Sequence, residues 1–199
     1  MQFFLPFEPD VVNDIENQPV EELRGPDHVC LFYTSSAQQL AAVIPFVWTG
    51  LKRGERCIYI ADENPGATIG TFQAAGIPVE DAIRDGALVA VTKWDTYLRG
   101  GNFDPQAMLL FLQDQVVAAR LAGFGALRVT GEVNWIRTTL DAAKFLWYEA
   151  MVNAIISDTG VLAMCQYQRD RVRPEMMLGI LDTHPRIVEK DGVNPTWCR

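Results

Sequence analysis

A doubly wound α/β fold, with a mainly parallel sheet and helices on both faces, is predicted by two observations on this sequence. Short apolar runs of strand-forming residues (VCLFY, CIYIA, ALVAVT, ALRVT and VLAMCQY) alternate with helix-length segments along the chain. Glycine, proline and aspartate punctuate the junctions, as at Asn64-Pro65-Gly66, Gly76-Ile77-Pro78 and Asp85-Gly86. Strands that alternate with helices lie parallel, because each helix carries the chain back across the sheet before the next strand begins.

The elements follow in order. Val29 to Tyr33 is the first strand, and Leu40, Val43, Ile44, Val47 and Leu51 then recur at spacings of three and four, the stripe of a helix packed on a sheet. Ser35 or Ser36 caps that helix. Cys57 to Ala61 is the second strand, ending at Asp62 and Glu63. Ala67 to Ala75 has helix composition, a short helix covers Val79 to Arg84, and Ala87 to Thr92 is the third strand. Trp94 to Phe103, with Gly100 and Gly101, reads as a loop and a candidate mobile segment. Asp104 and Pro105 form an N-cap and first-turn pair ahead of a long helix over Met108 to Leu121. Ala126 to Thr130 is the fourth strand, Leu140 to Ser157 a second long helix, and Val161 to Tyr167 the fifth strand. A last helix over Pro174 to Asp182 ends at His184-Pro185, and an irregular tail follows that holds one short strand at Arg186 to Val188.

The organisation is an arm over 1–24, one globular domain over 25–190 and a tail over 191–199. The arm carries Glu8, Asp10, Asp14, Glu16, Glu21 and Glu22, yet Phe3, Phe4, Leu5 and Phe7 give it an apolar end able to dock on its own domain or a neighbour. With 199 residues the chain can bury a full core without metals or disulfides. A net charge of −8, with no dense basic cluster, argues against direct contact with nucleic acid. Neither a signal-peptide pattern nor an apolar run of about 20 residues is present, so no membrane association is expected. The four cysteines, Cys30, Cys57, Cys165 and Cys198, show no CxxC spacing and suit a reduced cytoplasmic protein.

In such sheets ligands bind beyond the carboxyl ends of the strands. That rule selects Tyr33, Thr34, Ser35 and Ser36, then Asp62 and Glu63, then Thr130, Glu132, Asn134 and Trp135, then Gln166, Tyr167 and Arg169, all expected around one pocket. The first turn has no GxxxxGK[ST] loop: Thr34 to Gln39 offers neither glycine nor lysine to close on phosphate. Asp62 and Glu63 either bind a polar ligand or cation, or cap the next helix and face solvent. Glu132 accepts a hydrogen bond from a ligand beside the indole of Trp135, or pairs with Arg137 or Arg169. Cys165 and Tyr167 alternate along one strand and share a side, flanking a ligand or packing in the core. Trp147 and Tyr148, mid-helix, read as core. Arg169, Arg171 and Arg173 form a basic run that suits an anionic ligand or a solvated loop. A metal site would need His28, Cys30, Cys165 and His184 to converge from separate strand ends. None is assigned, and His28 reads as a hydrogen bonder at the amino edge of the sheet.

The blocks DHVCLFY, GERCIYIADEN, LRVTGEVNW, MCQYQRDR and ILDTHP, over residues 26 to 187, resemble the MEDS domain, the sensory domain named for methanogens and methylotrophs. Its first segment, DHVCLFYTSSAQQLAAVIPFVWTGLKRGERCIYIADEN, is similar to the opening of the RecA and KaiC ATPases without their phosphate loop. The resemblance implies a three-layer RecA-like fold and a sensory, non-enzymatic role, binding a simple hydrocarbon derivative in prokaryotic signal transduction or transcriptional regulation. No cofactor is implied. Family members carry DNA-binding or kinase modules, for which these residues leave no room, so output is expected through a signalling partner protein or a homo-oligomer. Two alternatives stay open. One is a degenerate nucleotide binder using Asp62, Glu63 and Glu132 with a metal; the other is an interaction module with a filled pocket.

Overall fold

The computed structural model describes residues 18–189 and 192–196. Seven strands form one sheet: β1 (Asp27–Tyr33), β2 (Arg56–Ala61), β3 (Leu88–Thr92), β4 (Leu127–Glu132), β5 (Leu162–Gln168), β6 (Arg186–Glu189) and β7 (Gly192–Pro195). Their order is β3-β2-β4-β5-β1-β6-β7, with every pair parallel except β6 and β7. Six helices flank it: α1 (Ser36–Lys52), α2 (Gly66–Ala74), α3 (Val79–Arg84), α4 (Pro105–Leu121), α5 (Thr139–Thr159) and α6 (Pro174–Thr183).

Strand alternation divides the core into two layers. Val29, Leu31 and Tyr33 of β1, with Cys57, Tyr59 and Ala61 of β2 and Leu162 and Met164 of β5, face Val43, Phe46 and Val47 of α1 and Phe72 of α2. On the opposite face Cys30, Ile58, Ile60, Val129, Ala163 and Tyr167 meet Leu112 and Val116 of α4, Phe145 and Val152 of α5, and Ile180 of α6. This is the three-layer, mainly parallel arrangement expected of a RecA-like fold.

Local chemistry starts and stops the long helices where the sequence places these signals. Ser35 caps α1 by accepting from the Gln38 amide, Asp104 caps α4 by accepting from the Gln106 and Ala107 amides, and Thr138 caps α5 through the Asp141 amide. Gly160 ends α5 at φ 76°, a left-handed conformation that costs glycine nothing.

The structure differs from the sequence reading in three elements. The tail beyond residue 190 is read as irregular, yet Gly192–Pro195 pairs with β6, and Gln18 bridges Val193. The 94–103 segment is anchored: Tyr97 and Phe103 are buried and pack on Trp135, so apolar contacts hold what glycine content marks as mobile. Trp147 is 48% exposed while Tyr148 is buried, because Trp147 falls outside the stripe of Phe145, Tyr148, Glu149 and Val152 by which α5 packs on the sheet. The expected apolar docking segment at Phe3 to Phe7 and Cys198 lie outside the described residues.

Candidate functional site

An open cleft of about 430 Å³ lies at the carboxyl ends of β1, β2 and β4. Tyr33, Thr34, Ser35, Asp62, Glu63 and Glu132 line it together with Gln39, Thr68, Asn134, Gln168 and Arg171. Its walls are mostly hydroxyl, amide and carboxylate groups. A second hollow, of about 350 Å³, lies away from these acids between α1 and β6, with Val20, Leu31, Ala42 and Val188 on its walls.

Hydrogen bonds tie together the side chains on the floor of the cleft. Tyr59 Oη donates to Glu132 Oε1 and lies 3.1 Å from Thr68 Oγ1. Gln39 Nε2 donates to Gln166 Oε1 at 2.8 Å, Gln166 Nε2 donates to Thr130 Oγ1 at 2.7 Å, and Thr130 donates to the Met164 carbonyl at 2.8 Å. Asn134 Nδ2 donates to Tyr33 Oη at 2.9 Å, while Asn134 Oδ1 accepts from the Gln168 amide. Burial raises the Glu132 carboxyl above its ordinary range, against the lowering effect of the Tyr59 hydrogen bond. Burial likewise pushes the Tyr33 phenol up to about 12.

At the rim, Lys93 Nζ bridges Asp62 Oδ1 at 3.0 Å and Glu63 Oε1 at 2.5 Å. Hydrogen bonds from Lys93 and Trp94 hold Glu63 below the usual carboxylate range. Neither expectation for Glu132 as an ion pair with Arg137 or Arg169 is met; it accepts hydrogen bonds from Tyr59, the Asp62 backbone and Gln39, and makes no salt bridge among the described residues. Arg169 stacks over Phe32, Arg171 lies 3.8 Å from Asp62, and Arg173 pairs with Glu175, so the basic run does not act as a unit.

The first turn has no space for a phosphate loop. Only Thr34 and Ser35 separate β1 from α1, and the Thr34 amide and hydroxyl both donate to Gln38 Oε1, at 2.8 and 2.7 Å. With the Gln38 amide on Ser35 Oγ, side chains occupy donors that would otherwise face an anion.

Trp135, Cys165 and Tyr167 are not in this cleft, a correction to the expectation of one pocket. Cys165 and Tyr167 follow the parity of Ala163 into the α5 layer, while Gln166 and Gln168 turn the other way. Trp135 is buried with Tyr97, Phe103 and Phe145. Tyr59 and Lys93 were not expected here. The parity of Tyr59 with Cys57 and Ala61 carries a signal for its side, whereas Lys93 is placed only by the β2–β3 register.

On the α5 side of the sheet lies a second polar group. His28, Glu149, Cys165 and His184 bring one donor atom each to within 4.8 Å of one another. Glu149 Oε2 is 3.0 Å from His28 Nε2 and 3.3 Å from His184 Nε2; Cys165 Sγ is 3.4 Å from His28 Nε2 and 3.7 Å from both Glu149 oxygens. His28, Glu149 and His184 are 1% exposed or less. Burial drives the His184 imidazole well below its ordinary value and the Cys165 thiol well above. Separate strand ends therefore do not keep His28, Cys165 and His184 apart. In register, Cys165 stands two positions beyond the partner of His28, Ala163, and side chains span that rise. Cys30 is not a member, its thiol turning to the Arg186 carbonyl at 3.6 Å, and Glu149 takes the fourth place.

No helix among the described residues is long and apolar enough to cross a membrane, and Cys30, Cys57 and Cys165 are free thiols. Residues 27–185 match the sequence family described as the methanogen/methylotroph, DcmR sensory domain, or MEDS. The chain is also 28% identical over 159 residues to a protein named transcriptional repressor DcmR from Methylorubrum extorquens, a match that covers 78% of this chain and 56% of the relative. With the family match extending over β1 to β5 and all six helices, the chain belongs to the MEDS family of sensory domains.

Proposed function

We propose that this sensory domain holds a small hydrocarbon derivative bearing a hydroxyl or amine in the carboxyl-edge cleft, performs no chemistry on it, and passes the bound state to a signalling partner protein or a second copy of the chain. The observation that carries this reading is Glu132, a largely buried carboxylate lining an open cleft, held by neutral donors (Tyr59, the Asp62 backbone and Gln39) and paired with no cation among the described residues. Such a group rewards a ligand that donates a hydrogen bond and displaces water. The surrounding amides and hydroxyls add orientation. Arg171 is the one cation on the described lining, and the Thr34 and Gln38 amides are already engaged, which disfavours a triphosphate.

The named repressor function of the relative supports a place in prokaryotic signal transduction or transcriptional regulation. With a net charge of −8, direct nucleic-acid contact by this segment is not part of the proposal, and the free thiols suit the cytoplasm.

A thermal-shift panel of short alcohols, amines, halides and carboxylic acids, with ATP plus magnesium and GTP alongside, tests it. A true ligand raises Tm by mass action, by about 2.7 kcal/mol of added stability at a hundredfold excess over Kd. A hydroxyl- or amine-bearing compound is expected to shift the transition, with the shift weakened at least tenfold in concentration dependence by Glu132→Gln. A shift with ATP that Glu132→Gln abolishes overturns the reading in favour of a nucleotide binder. Silence across the panel favours the filled-pocket interaction module.

A further inference from the structure

We propose that His28, Glu149, Cys165 and His184 form a closed four-ligand site for a divalent transition metal, zinc foremost, coordinated by the two histidine Nε2 atoms, the cysteine sulfur and one glutamate oxygen. The site lies across the sheet from the carboxyl-edge cleft and does not depend on the ligand proposed there.

The hydrogen bonds behind the histidines set their tautomers. His184 Nδ1 lies 2.7 Å from the Ile180 carbonyl, which can only accept, so the ring proton sits on Nδ1 and Nε2 presents a lone pair. Asn153 Nδ2 donates to the Thr183 carbonyl at 2.8 Å, which orients its amide and leaves Oδ1 to accept from His28 Nδ1 at 2.9 Å. His28 Nε2 is therefore bare as well. Outer hydrogen bonds of this kind are how metal-binding histidines are held with the free nitrogen aimed inward.

Both lone pairs converge on a carboxylate. His184 Nε2 is 3.3 Å from Glu149 Oε2, yet it is buried with no hydrogen-bond partner. Neither lysine nor arginine pairs with Glu149 among the described residues; its close polar neighbours are the two imidazoles and the Cys165 thiol. Acceptors facing one another in a dry interior repel unless protons or a cation stand between them.

The distances leave room for an ion among the four donor atoms. With metal to nitrogen or oxygen at about 2.0–2.2 Å and metal to sulfur at about 2.3 Å, the edges of a tetrahedron are about 3.3–3.8 Å. Three separations here, 3.3, 3.4 and 3.7 Å, fall in that range, the His28–Glu149 pair at 3.0 Å is shorter, and all four donor atoms lie within 4.8 Å of one another. Two imidazoles, one thiolate and one carboxylate are a borderline donor set that suits zinc or cobalt and not magnesium or calcium. Four protein ligands leave no open position, which assigns the ion a clamping role: it ties β1, β5, α5 and the end of α6 together.

The test uses the full chain. Metal content is measured after purification without chelator; the protein is then stripped, reloaded with cobalt(II) and followed by absorption. One ion per chain is expected, with tetrahedral d–d bands and a thiolate-to-cobalt charge-transfer band that zinc bleaches stoichiometrically. Cys165→Ser should remove the charge-transfer band, and Cys30→Ser, at the neighbouring register position, should leave it. Asn153→Leu should keep the band but weaken affinity by about 10–100-fold. Stripping should lower Tm and reloading should restore it. Substoichiometric metal with no thiolate band in the wild-type chain overturns the proposal, as does a band that survives Cys165→Ser. The wild-type measurements decide the matter even where a variant fails to fold.

Discussion

Glu132 is a position where ligand chemistry and stability pull in opposite directions. Burial raises its carboxyl above the ordinary range, so the folded chain holds the proton more tightly than the unfolded chain does. The sign follows from that difference. Above the folded value the ionised carboxylate costs stability, and the cost fades as pH falls toward the unfolded value near 4.5. Glu132→Gln keeps an oxygen to accept from Tyr59 and removes the charge. It is expected to raise stability by on the order of 1 kcal/mol at pH 7–8, with the gain shrinking to nothing near pH 4. Tm against pH for both chains measures it, and a gain that grows on acidification would contradict the burial argument. Such a gain alongside lost ligand response is the usual mark of a residue retained for function.

At the scale of the elements, two helical glycines make opposite predictions from one substitution. A Cβ at Gly50 of α1 would stand 2.6 Å from both Arg128 Cδ and Cys57 Sγ. Arg128 cannot give way: it is fully buried, paired with Glu55, bonded to the Phe46 and Leu23 carbonyls at 3.2 Å, and stacked on Phe46. Gly50→Ala is expected to destabilise by about 1–3 kcal/mol, the usual cost of overpacking. A Cβ at Gly70 of α2 meets nothing within 4 Å, and there the gain is helix propensity alone. Gly70→Ala should stabilise by about 0.5–1 kcal/mol. Urea denaturation separates the pair, since both should shift the midpoint with little change in slope. Equal effects would mean that the close approach of α1 to β4 relaxes freely.

Across the whole molecule, what the sequence made legible was whatever local chemistry dictates. The first five strands are short apolar runs, and Ser35, Asp104 and Gly160 mark helix ends by backbone chemistry that acts within a few residues. Tyr33, Asp62 and Glu132 fell into one cleft because strand ends in a parallel sheet share an edge. The buried group was hidden because it is assembled by docking: His184 reaches it only through the packing of α6. Glu149 did leave a trace, a charge set four residues after Phe145 and three before Val152 on the buried stripe of α5. β7 was hidden for a similar reason. Gly192–Pro195 offers one apolar side chain, Val193, and becomes a strand because β6 and Gln18 supply its hydrogen bonds. That dependence makes a prediction about how the two ends of the described chain communicate. Gln18 and Val193 exchange backbone hydrogen bonds of 3.3 and 2.8 Å, and Arg186 ties Gln18 to Asp27, donating to Asp27 Oδ2 at 2.6 Å. Arg186→Ala should therefore free both ends at once. Amide hydrogen exchange at Gln18 and Val193 is expected to accelerate together by about tenfold or more, for a loss of about 1.5–3 kcal/mol in charge-assisted bonds, while the β4 and β5 amides keep their protection. If Val193 accelerates and Gln18 does not, the bridge does not couple them. A uniform acceleration through β4 and β5 would instead show that the edge opens only when the whole sheet does.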